Sequence, residues 1–455
     1  MPVPAAANVF RNDYPDKRPD AAKREERAEV AKQVRHLRNL SGDLDYQHAM
    51  TGWVQDRRKD RPDLVAFESV PNGGIDALVV RGELLVRRDD LDDARTRKIV
   101  EDFGLDAEPI ETLGGSVIRL TEKEEDPGKE RLGGRMAEAF EEGERRKAPV
   151  SFHYIVPLGI VMKGEGGPQP SAGRRDFPTV TVTGGSPVSV AVIDTGITDE
   201  RRGDGWLHGL LTGTNEDALD AIPVPDRSLD LGAGHGTFAA GIVQQVAPTA
   251  DLRVLRAMDS DGVGSENDVA AKMIEAVRDG AKILNLSFGT QTVDDQPPLI
   301  LRAALDTVFA HDPDVLIVAA AGNFGDERPC WPAAFSQFFP NVVAVAGLDP
   351  AGLPAEWSSH GTWVTCSAIG EGVVSTYVEG TENRRVEDPP DTFPLDSWAS
   401  WTGTSFAAPQ VAGAVARRSQ ERGITPTKAF AELRDGGTPT TTGHGAAMII
   451  LPGTF

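Results

Sequence analysis

The stretch Trp401-Thr402-Gly403-Thr404-Ser405-Phe406-Ala407-Ala408-Pro409-Gln410-Val411-Ala412-Gly413 decides how the rest of this chain is interpreted. A small, Gly-containing turn leads into an apolar run whose Ala and Val spacing is typical of a buried helix, so Ser405 lies at the start of that helix. A serine there is either a helix cap, which satisfies free N–H groups, or a nucleophile. The stretch alone does not choose between the two.

Length and composition indicate a soluble protein of about two domains. The chain has 455 residues, of which 40% are hydrophobic and 25% charged. Its formal net charge of -22 argues against binding to nucleic acid or to anionic membranes, because both partners require a basic face. We therefore expect neither among its partners, and the sequence does not indicate an oligomeric state.

The N-terminus and the cysteines point to a reducing compartment. No apolar run in residues 1–38 is long enough for the core of a signal peptide, and charged residues begin early. No stretch of about 18 uninterrupted apolar residues occurs elsewhere. Cys330 and Cys366 are too few for a disulfide framework and suit small core positions. We expect a cytoplasmic protein.

Four regions are predicted along the chain. Residues 1–80 form a charged helical extension, residues 81–160 a small α+β domain, residues 161–186 a Gly/Pro-rich linker that does not pack, and residues 187–455 a large α/β domain. The small domain has the ferredoxin-like order βαββαβ. Its predicted elements are strand 83–87, helix 93–103, strands 109–113 and 116–120, helix 132–146 and strand 150–156.

The large domain alternates continuous apolar strands with helices. Such runs of Val and Ile predict a parallel sheet with helices on both faces. The predicted strands are 188–193, 251–256, 282–286, 315–319, 342–346 and 364–367, and the predicted helices are 235–245, 267–279, 298–311, 405–418 and 427–433.

Three polar residues lie where predicted strands end or predicted helices begin. Asp194 follows one strand, His235 stands between two glycines at a helix start, and Asn323 follows another strand. Each has an ordinary explanation, since Asp and Asn are common turn residues and a single histidine is often structural. Their occurrence in order with Ser405 favours a shared site, because working residues collect at the carboxyl ends of parallel strands.

These residue types fit nucleophilic catalysis. A serine hydroxyl is a poor nucleophile until a histidine takes its proton, and a buried aspartate holds that histidine in the required tautomer. A tetrahedral oxyanion needs donors already in place, which the Asn323 amide and the Ser405 backbone N–H supply. Asp194, His235 and Ser405 are the candidate triad. Since only neutral imidazole accepts a proton, activity should fall as pH falls.

The blocks around these residues carry a family resemblance. Asp194-Thr195-Gly196, His235-Gly236-Thr237 and Gly403-Thr404-Ser405-Phe406-Ala407-Ala408-Pro409 resemble, in this order, the three signature blocks of the subtilisin-like serine peptidases, the subtilases. Asn323 resembles the family's oxyanion residue. The resemblance runs from about residue 187 to the C-terminus. It implies a subtilisin-like sheet and an endopeptidase that hydrolyses a peptide or protein substrate through an acyl-enzyme.

The same resemblance implies where a substrate binds. An extended peptide would add itself as a strand between two segments of the chain. The pocket for the side chain that precedes the cut would be apolar from Phe324, Cys330 and Trp331, although Glu327 leaves a basic preference open. The implied binding residues are Gly262, Val263 and Gly264 on one edge, with Ser287, Phe288, Gly289, Ala319, Ala320, Ala321 and Gly322 on the other. The alternative for Ser287-Phe288-Gly289 is an ordinary strand end.

No cofactor or metal is expected for the chemistry. Only residues 244–250 separate the helix that begins at His235 from the next strand, whereas many secreted relatives carry a longer, calcium-binding loop there. We therefore expect no calcium at this place, and the sequence leaves structural calcium elsewhere open.

The small domain also gains a role from the resemblance. Subtilases are commonly preceded by a ferredoxin-like propeptide that assists folding and threads its C-terminal tail through the cleft. We expect residues 81–160 to act as such an intramolecular inhibitor, with self-cleavage between about Pro157 and Gly173. The alternative is a retained regulatory domain. For the whole chain the alternative is a catalytically silent binding or scaffolding protein on a subtilase fold.

Overall fold

Two helices form the N-terminal part of the chain. The computed structural model describes residues 7–8, 18–40, 43–122, 133–159, 166–173, 175, 177, 185–293, 295–385 and 388–451. Helix α1 spans Asp20–Leu40 and α2 spans Leu44–Arg58. The Asp43 carboxylate accepts a hydrogen bond from the Tyr46 N–H and so caps α2. Within the described ranges, no helix combines the length and apolar character needed to cross a membrane.

The small domain is an antiparallel sheet covered by two helices. Its elements are β2 (Phe67–Val70), β3 (Ala77–Arg87), α3 (Ala94–Phe103), β4 (Leu105–Pro109), β5 (Val117–Glu122), α4 (Gly133–Arg146) and β6 (Val150–Tyr154). The strands lie in the order β6, β3, β5, β4, with β2 also paired to β3. From β3 onward the chain follows the predicted βαββαβ path. Met136 and Phe140 of α4 pack on the buried face of the sheet.

The structure places two parts of this domain differently from the prediction. The strand predicted at 109–113 lies at Leu105–Pro109, because Gly104 ends α3 with a φ of 61° and the chain extends at once. Glu111–Leu113 forms a single 3-10 turn instead. The sheet also begins before residue 81, since Phe67–Val70 pairs with the first half of β3 and Phe67 is buried.

The large domain is built on a parallel sheet. Its central strands are β8 (Ser189–Asp194), β9 (Asp251–Arg256), β10 (Ile283–Leu286), β11 (Leu316–Ala320), β12 (Val342–Leu348) and β13 (Cys366–Ile369), followed at one edge by β19 (Ala446–Ile449), β18 (Thr438–Pro439) and β1 (Ala7–Asn8). The order from the other edge is β9, β8, β10, β11, β12, β13, β19, β1, and each of these pairs is parallel. The helices are α5 (His235–Val246), α6 (Glu266–Arg278), α7 (Leu299–His311), α8 (Thr404–Arg422) and α9 (Pro426–Asp435).

The strand order creates a switch point at which a site is expected. Strand β8 lies between β9 and β10. The connection from β8 to β9 therefore runs to one side of β8, and the connection from β9 to β10 brings the chain back to the other side. In open parallel sheets, ligands bind at the carboxyl ends beside such a reversal. Helix α8 is buried over almost its whole length and packs on the same sheet, which brings its first turn to this edge.

The prediction that the linker does not pack is wrong for its described middle part. Residues 161–165, 174, 176 and 178–184 of the linker lie outside the described residues. Residues 166–169 are buried, and β7 (Gln169–Pro170) pairs with β17 (Trp398–Trp401). The Gln33 amide of α1 donates to the carbonyl of Gly167, which explains how a stretch poor in apolar side chains stays packed. The remaining strands are β14 (Val373–Thr376), β15 (Gly380–Thr381) and β16 (Thr392–Phe393).

Candidate active site

A buried Asp–His pair lies at the carboxyl end of β8. Asp194 is the last residue of the strand and His235 the first of α5, and the imidazole Nδ1 lies 2.7 Å from Asp194 Oδ1. The Thr195 N–H also donates to this carboxylate oxygen at 2.8 Å. The close approach needs a glycine at position 236, where a Cβ atom would lie 2.2 Å from the Gly196 carbonyl oxygen.

A second buried carboxylate, Asp217, fixes the backbone around this pair. It accepts hydrogen bonds from the Thr195 hydroxyl at 2.8 Å and from the Gly234 N–H at 2.9 Å. The Thr195 hydroxyl in turn accepts from the Gly236 N–H at 3.1 Å. Burial raises the pKa of the Asp217 carboxyl to about 6. Sequence reasoning missed this residue, because an Asp in a polar stretch is typical of a turn.

Ser405 is the second residue of α8 and does not cap it. The helix begins after Gly403 without a side-chain cap, and Ser405 Oγ donates to the Ser287 carbonyl at 2.9 Å. The His235 ring lies 5.2 Å from the ring of Phe406, the next residue along. In the described part of the chain no hydrogen bond joins Ser405 to His235. The structure therefore excludes the cap explanation and brings the His235 ring against the first turn of α8, which carries Ser405.

The Asn323 side chain is held in one orientation. Its Oδ1 accepts hydrogen bonds from both the N–H and the hydroxyl of Thr404, each at 3.0 Å. The amide Nδ2 then points to the other side, where a Cβ atom on Gly159 or Gly403 would lie 3.5 Å from it. A fixed amide donor beside the N-terminus of α8 is the geometry that an oxyanion requires.

The cleft beside these residues holds a segment of the chain itself. Residues 155–159, which follow β6 and which we name the cleft segment, run between the two edges predicted to bind substrate. Ile155 forms an antiparallel bridge with Ser265. The hydrogen bonds are Val156 N–H to Gly264 O at 2.8 Å, Leu158 N–H to Gly262 O at 3.0 Å and Gly289 N–H to Pro157 O at 3.3 Å.

The predicted binding residues have different surroundings in the structure. Gly262, Gly264 and Gly289 contact the cleft segment through their backbones. The side chain of Val263 is buried against α2 and the small sheet. A pocket beside Gly159, Asn323 and Ser405 is lined by Phe288, Gly289, Ala320 and Gly322, with Leu37 and Ile75 of the N-terminal region on its outer side, whereas Ala319 and Ala321 are fully buried and Ser287 contacts Ser405.

The N-terminal helices are joined to the same edge by a buried ion pair. At the end of α2, Arg58 Nη1 donates to both oxygens of Asp261 at 2.8 and 2.9 Å, and Nη2 donates to Asp259 at 2.8 Å. Burial raises the pKa of the Asp261 carboxyl to about 6, although Arg58 acts in the opposite direction. Asp261 directly precedes Gly262, so α2 is attached next to a residue that binds the cleft segment.

Cys330 and Cys366 are free and buried. Among the described residues, no three His, Cys, Asp or Glu side chains gather as metal ligands would. A buried Asp–His pair next to a serine and a fixed amide donor is the constellation of serine hydrolases.

Comparison with known proteins places the chain within that class. A model of the subtilase family matches residues 185–435. The chain is 32% identical over 251 residues to the thermophilic serine proteinase of Bacillus sp. (strain AK1), which is 53% of this chain and 54% of that protein. It is 32% identical over 239 residues to thermitase of Thermoactinomyces vulgaris, covering 50% of this chain and 74% of that protein. The chain thus spans about half the length of the first of these relatives.

A solved structure supports the fold. Fervidolysin from Fervidobacterium pennivorans, described as a keratinolytic enzyme related to subtilisin, matches with a TM-score of 0.54 and 20% identity, over 83% of this chain and 61% of that one. At this identity the likeness concerns the fold alone. The family match covers more than half of the chain, so the chain belongs to the subtilase family and carries a subtilisin-like serine endopeptidase domain.

Proposed function

We propose that the chain hydrolyses peptide bonds with Ser405 as nucleophile, His235 as general base and Asp194 as the residue that orients the imidazole. The observation that carries this proposal is the 2.7 Å contact between His235 Nδ1 and Asp194 Oδ1, made beside the start of α8. A carboxylate on Nδ1 leaves Nε2 without a proton, and Nε2 can then take the proton of the serine hydroxyl. For this step Ser405 Oγ turns from the Ser287 carbonyl towards the histidine.

The oxyanion of the tetrahedral intermediate is stabilised by two donors. One is Asn323 Nδ2, whose position follows from the two bonds that Thr404 donates to Oδ1. The other is the Ser405 backbone N–H in the first turn of α8, where N–H groups have no partner inside the helix. Collapse of the intermediate expels the amine, which takes its proton from His235, and water then releases the acyl group by the reverse sequence.

We further propose that the chain is a zymogen and that its N-terminal region is the intramolecular inhibitor. The cleft segment already makes, on both edges, the main-chain hydrogen bonds that a peptide substrate would need. A substrate therefore cannot bind until this segment leaves. Gly159, the last described residue of the cleft segment, lies beside Asn323 Nδ2 and Ser405. This position supports self-cleavage of the bond that follows Gly159, within the predicted window.

The test compares wild-type protein with Ser405→Ala. Intact-mass spectrometry should find wild type cut after Gly159 and the variant full length. Equal full-length masses after prolonged incubation would refute self-cleavage. A serine-reactive fluorophosphonate probe should label Ser405 in wild type but not in Asp194→Ala or His235→Ala, since the unactivated hydroxyl reacts poorly. No labelling of processed wild type would favour the silent binding or scaffolding protein. The cytoplasmic location stays a prediction, to be tested by cell fractionation.

A further inference from the structure

We name the pocket beside Gly159, Asn323 and Ser405 the specificity pocket, and Gly289 and Gly322 both line it. The sulfur atom of Cys330 fills the space between these two glycines. A Cβ atom on Gly289 would lie 2.5 Å from Cys330 Sγ, and one on Gly322 would lie 2.9 Å from the same sulfur. Both distances are shorter than real carbon–sulfur contacts, so the thiol occupies the gap that the two glycines leave open. The Phe324 ring closes the Gly322 side further, with its nearest atom 3.0 Å from that added Cβ.

The sulfur is held firmly in this place. Trp331, the next residue, exchanges both backbone hydrogen bonds with Thr290, the residue after Gly289, at 2.9 and 2.8 Å. Cys330 itself is 0% exposed. Burial raises the pKa of its thiol, so the group stays neutral and acts as a small apolar wall. A long side chain from a bound peptide cannot enter this gap without breaking the Thr290–Trp331 bridge.

The cleft segment offers an independent observation on the same pocket. Gly159 occupies the position beside Asn323 and Ser405, so residue 159 itself places no side chain in the pocket, which Leu37 and Ile75 of the N-terminal region also line. An added Cβ there would meet only Asn323 Nδ2, at an ordinary 3.5 Å. A methyl group therefore fits at residue 159. A longer side chain needs more room in this pocket, where Cys330 and Phe324 already occupy the space beside Gly289 and Gly322.

Resting on the proposed function, we propose that Cys330 limits the residue before the cleaved bond to glycine and alanine, so that the substrates are peptides with a small residue at this position. A pocket distinguishes side chains that differ by one methylene by about 10–200-fold, and an overfilled pocket discriminates more strongly. We expect kcat/KM for a peptide with Ala before the bond to exceed that for Phe by about 10²-fold or more.

The experiment produces the full chain, lets it process itself, and maps its cuts in a proteome-derived peptide library. Wild type should cut after Gly and Ala, and Cys330→Gly should raise the ratio of cutting after Leu and Phe to cutting after Ala at least about 10-fold. Cys366→Ala, a change at the other buried cysteine, should keep the wild-type pattern. Efficient cutting after Phe by wild type, or an unchanged pattern in Cys330→Gly, would overturn the proposal.

Self-cleavage gives a second measurement that does not depend on the folding of the Cys330 variant. Gly159→Ala should still be processed, whereas Gly159→Phe should accumulate as the full-length chain. Normal processing of Gly159→Phe would contradict the size limit. If no variant cuts any peptide and the fluorophosphonate probe labels none, the proposed function fails together with this inference. If labelling and cutting occur with another preference, only the inference fails.

Discussion

Replacing Arg58 by Met should detach α2 from the catalytic domain. The guanidinium bridges Asp261 and Asp259 through three hydrogen bonds of 2.8 to 2.9 Å, and the side chains of Arg58 and Asp261 are 3% and 2% exposed. Methionine keeps most of the apolar stem but no charge. The change therefore removes the ion pair while leaving the packing of the helix nearly as it is.

Removing one member of a buried ion pair typically costs about 3–5 kcal/mol, because the other charge stays buried without compensation. The lower end of this range applies to Arg58→Met, because Asp261 can take up a proton and become neutral. We expect about 3 kcal/mol, which is about a 10²-fold larger population of the undocked state.

The pH dependence has a definite sign. Burial already raises the pKa of the Asp261 carboxyl to about 6, and the loss of Arg58 raises that pKa further. A carboxyl whose pKa is raised in the docked state favours docking below its ordinary pKa, and this contribution is lost as pH rises through the raised pKa. Because that rise is larger in Arg58→Met, the difference between variant and parent should be smaller at pH 5 than at pH 8, although the bond to Asp259 is lost at both.

The assay is hydrogen exchange of the α2 amides in a Ser405→Ala background, which removes self-cleavage. Protection of α2 should fall about 10²-fold at pH 8 in Arg58→Met, because exchange reports the population of the open state. Arg95→Met, which alters an exposed ion pair with Asp93 on the small domain, is the matched control and should leave α2 unchanged. Unaltered protection of α2, or a loss that is equal at pH 5 and pH 8, would refute the reasoning.

Three further predictions concern other contacts. Asn323→Ala should lower kcat on a peptide substrate about 10²-fold with KM little changed, and a loss confined to KM would contradict its oxyanion role. Burial raises the pKa of the Asp217 carboxyl to about 6, so its contribution to stability is lost as pH rises through 6. In a Ser405→Ala background, the protein with Asp217 should have a higher Tm than the protein with Asp217→Asn, and this difference in Tm should shrink from pH 5 to pH 8. A constant difference would refute this prediction. Gln33→Ala, which removes bonds to the Gly167 and Ser400 carbonyls, should lower the free energy of unfolding by about 1–3 kcal/mol in urea titrations.

The parallel sheet and the positions of four candidate site residues could be predicted because their signals are local. Strands buried on both faces are apolar throughout, and such runs occur at β8, β11 and β12 with ends within a few residues of those predicted. Asp194 and Asn323 were placed by following these strands to their ends. His235 and Ser405 were placed by the glycines that open their helices. Each inference needed only about ten neighbouring residues.

The features that could not be predicted from the sequence depend on contacts between residues that are far apart along the chain. The side chain of Asp217 acts on Thr195 and Gly234, which lie 22 and 17 residues away, and its own neighbours are ordinary turn formers. The Gly167 carbonyl is satisfied by Gln33, 134 residues earlier, so a stretch that has little apolar surface of its own still packs. Composition describes what a segment can bury, and it contains no information about which distant donors reach the segment.

The N-terminal region contacts the cleft edge through three attachments that do not depend on one another. Arg58 binds beside Gly262, the cleft segment pairs with Gly262 and Gly264, and Leu37 covers the pocket from α1. Cutting the chain after Gly159 removes a covalent link and breaks none of these contacts. By mass action the N-terminal part then leaves only when it is diluted, degraded or unfolded. Under the proposed self-cleavage, we therefore expect cleavage and activation to be separate steps, with the strength of the Arg58–Asp261 pair affecting the second.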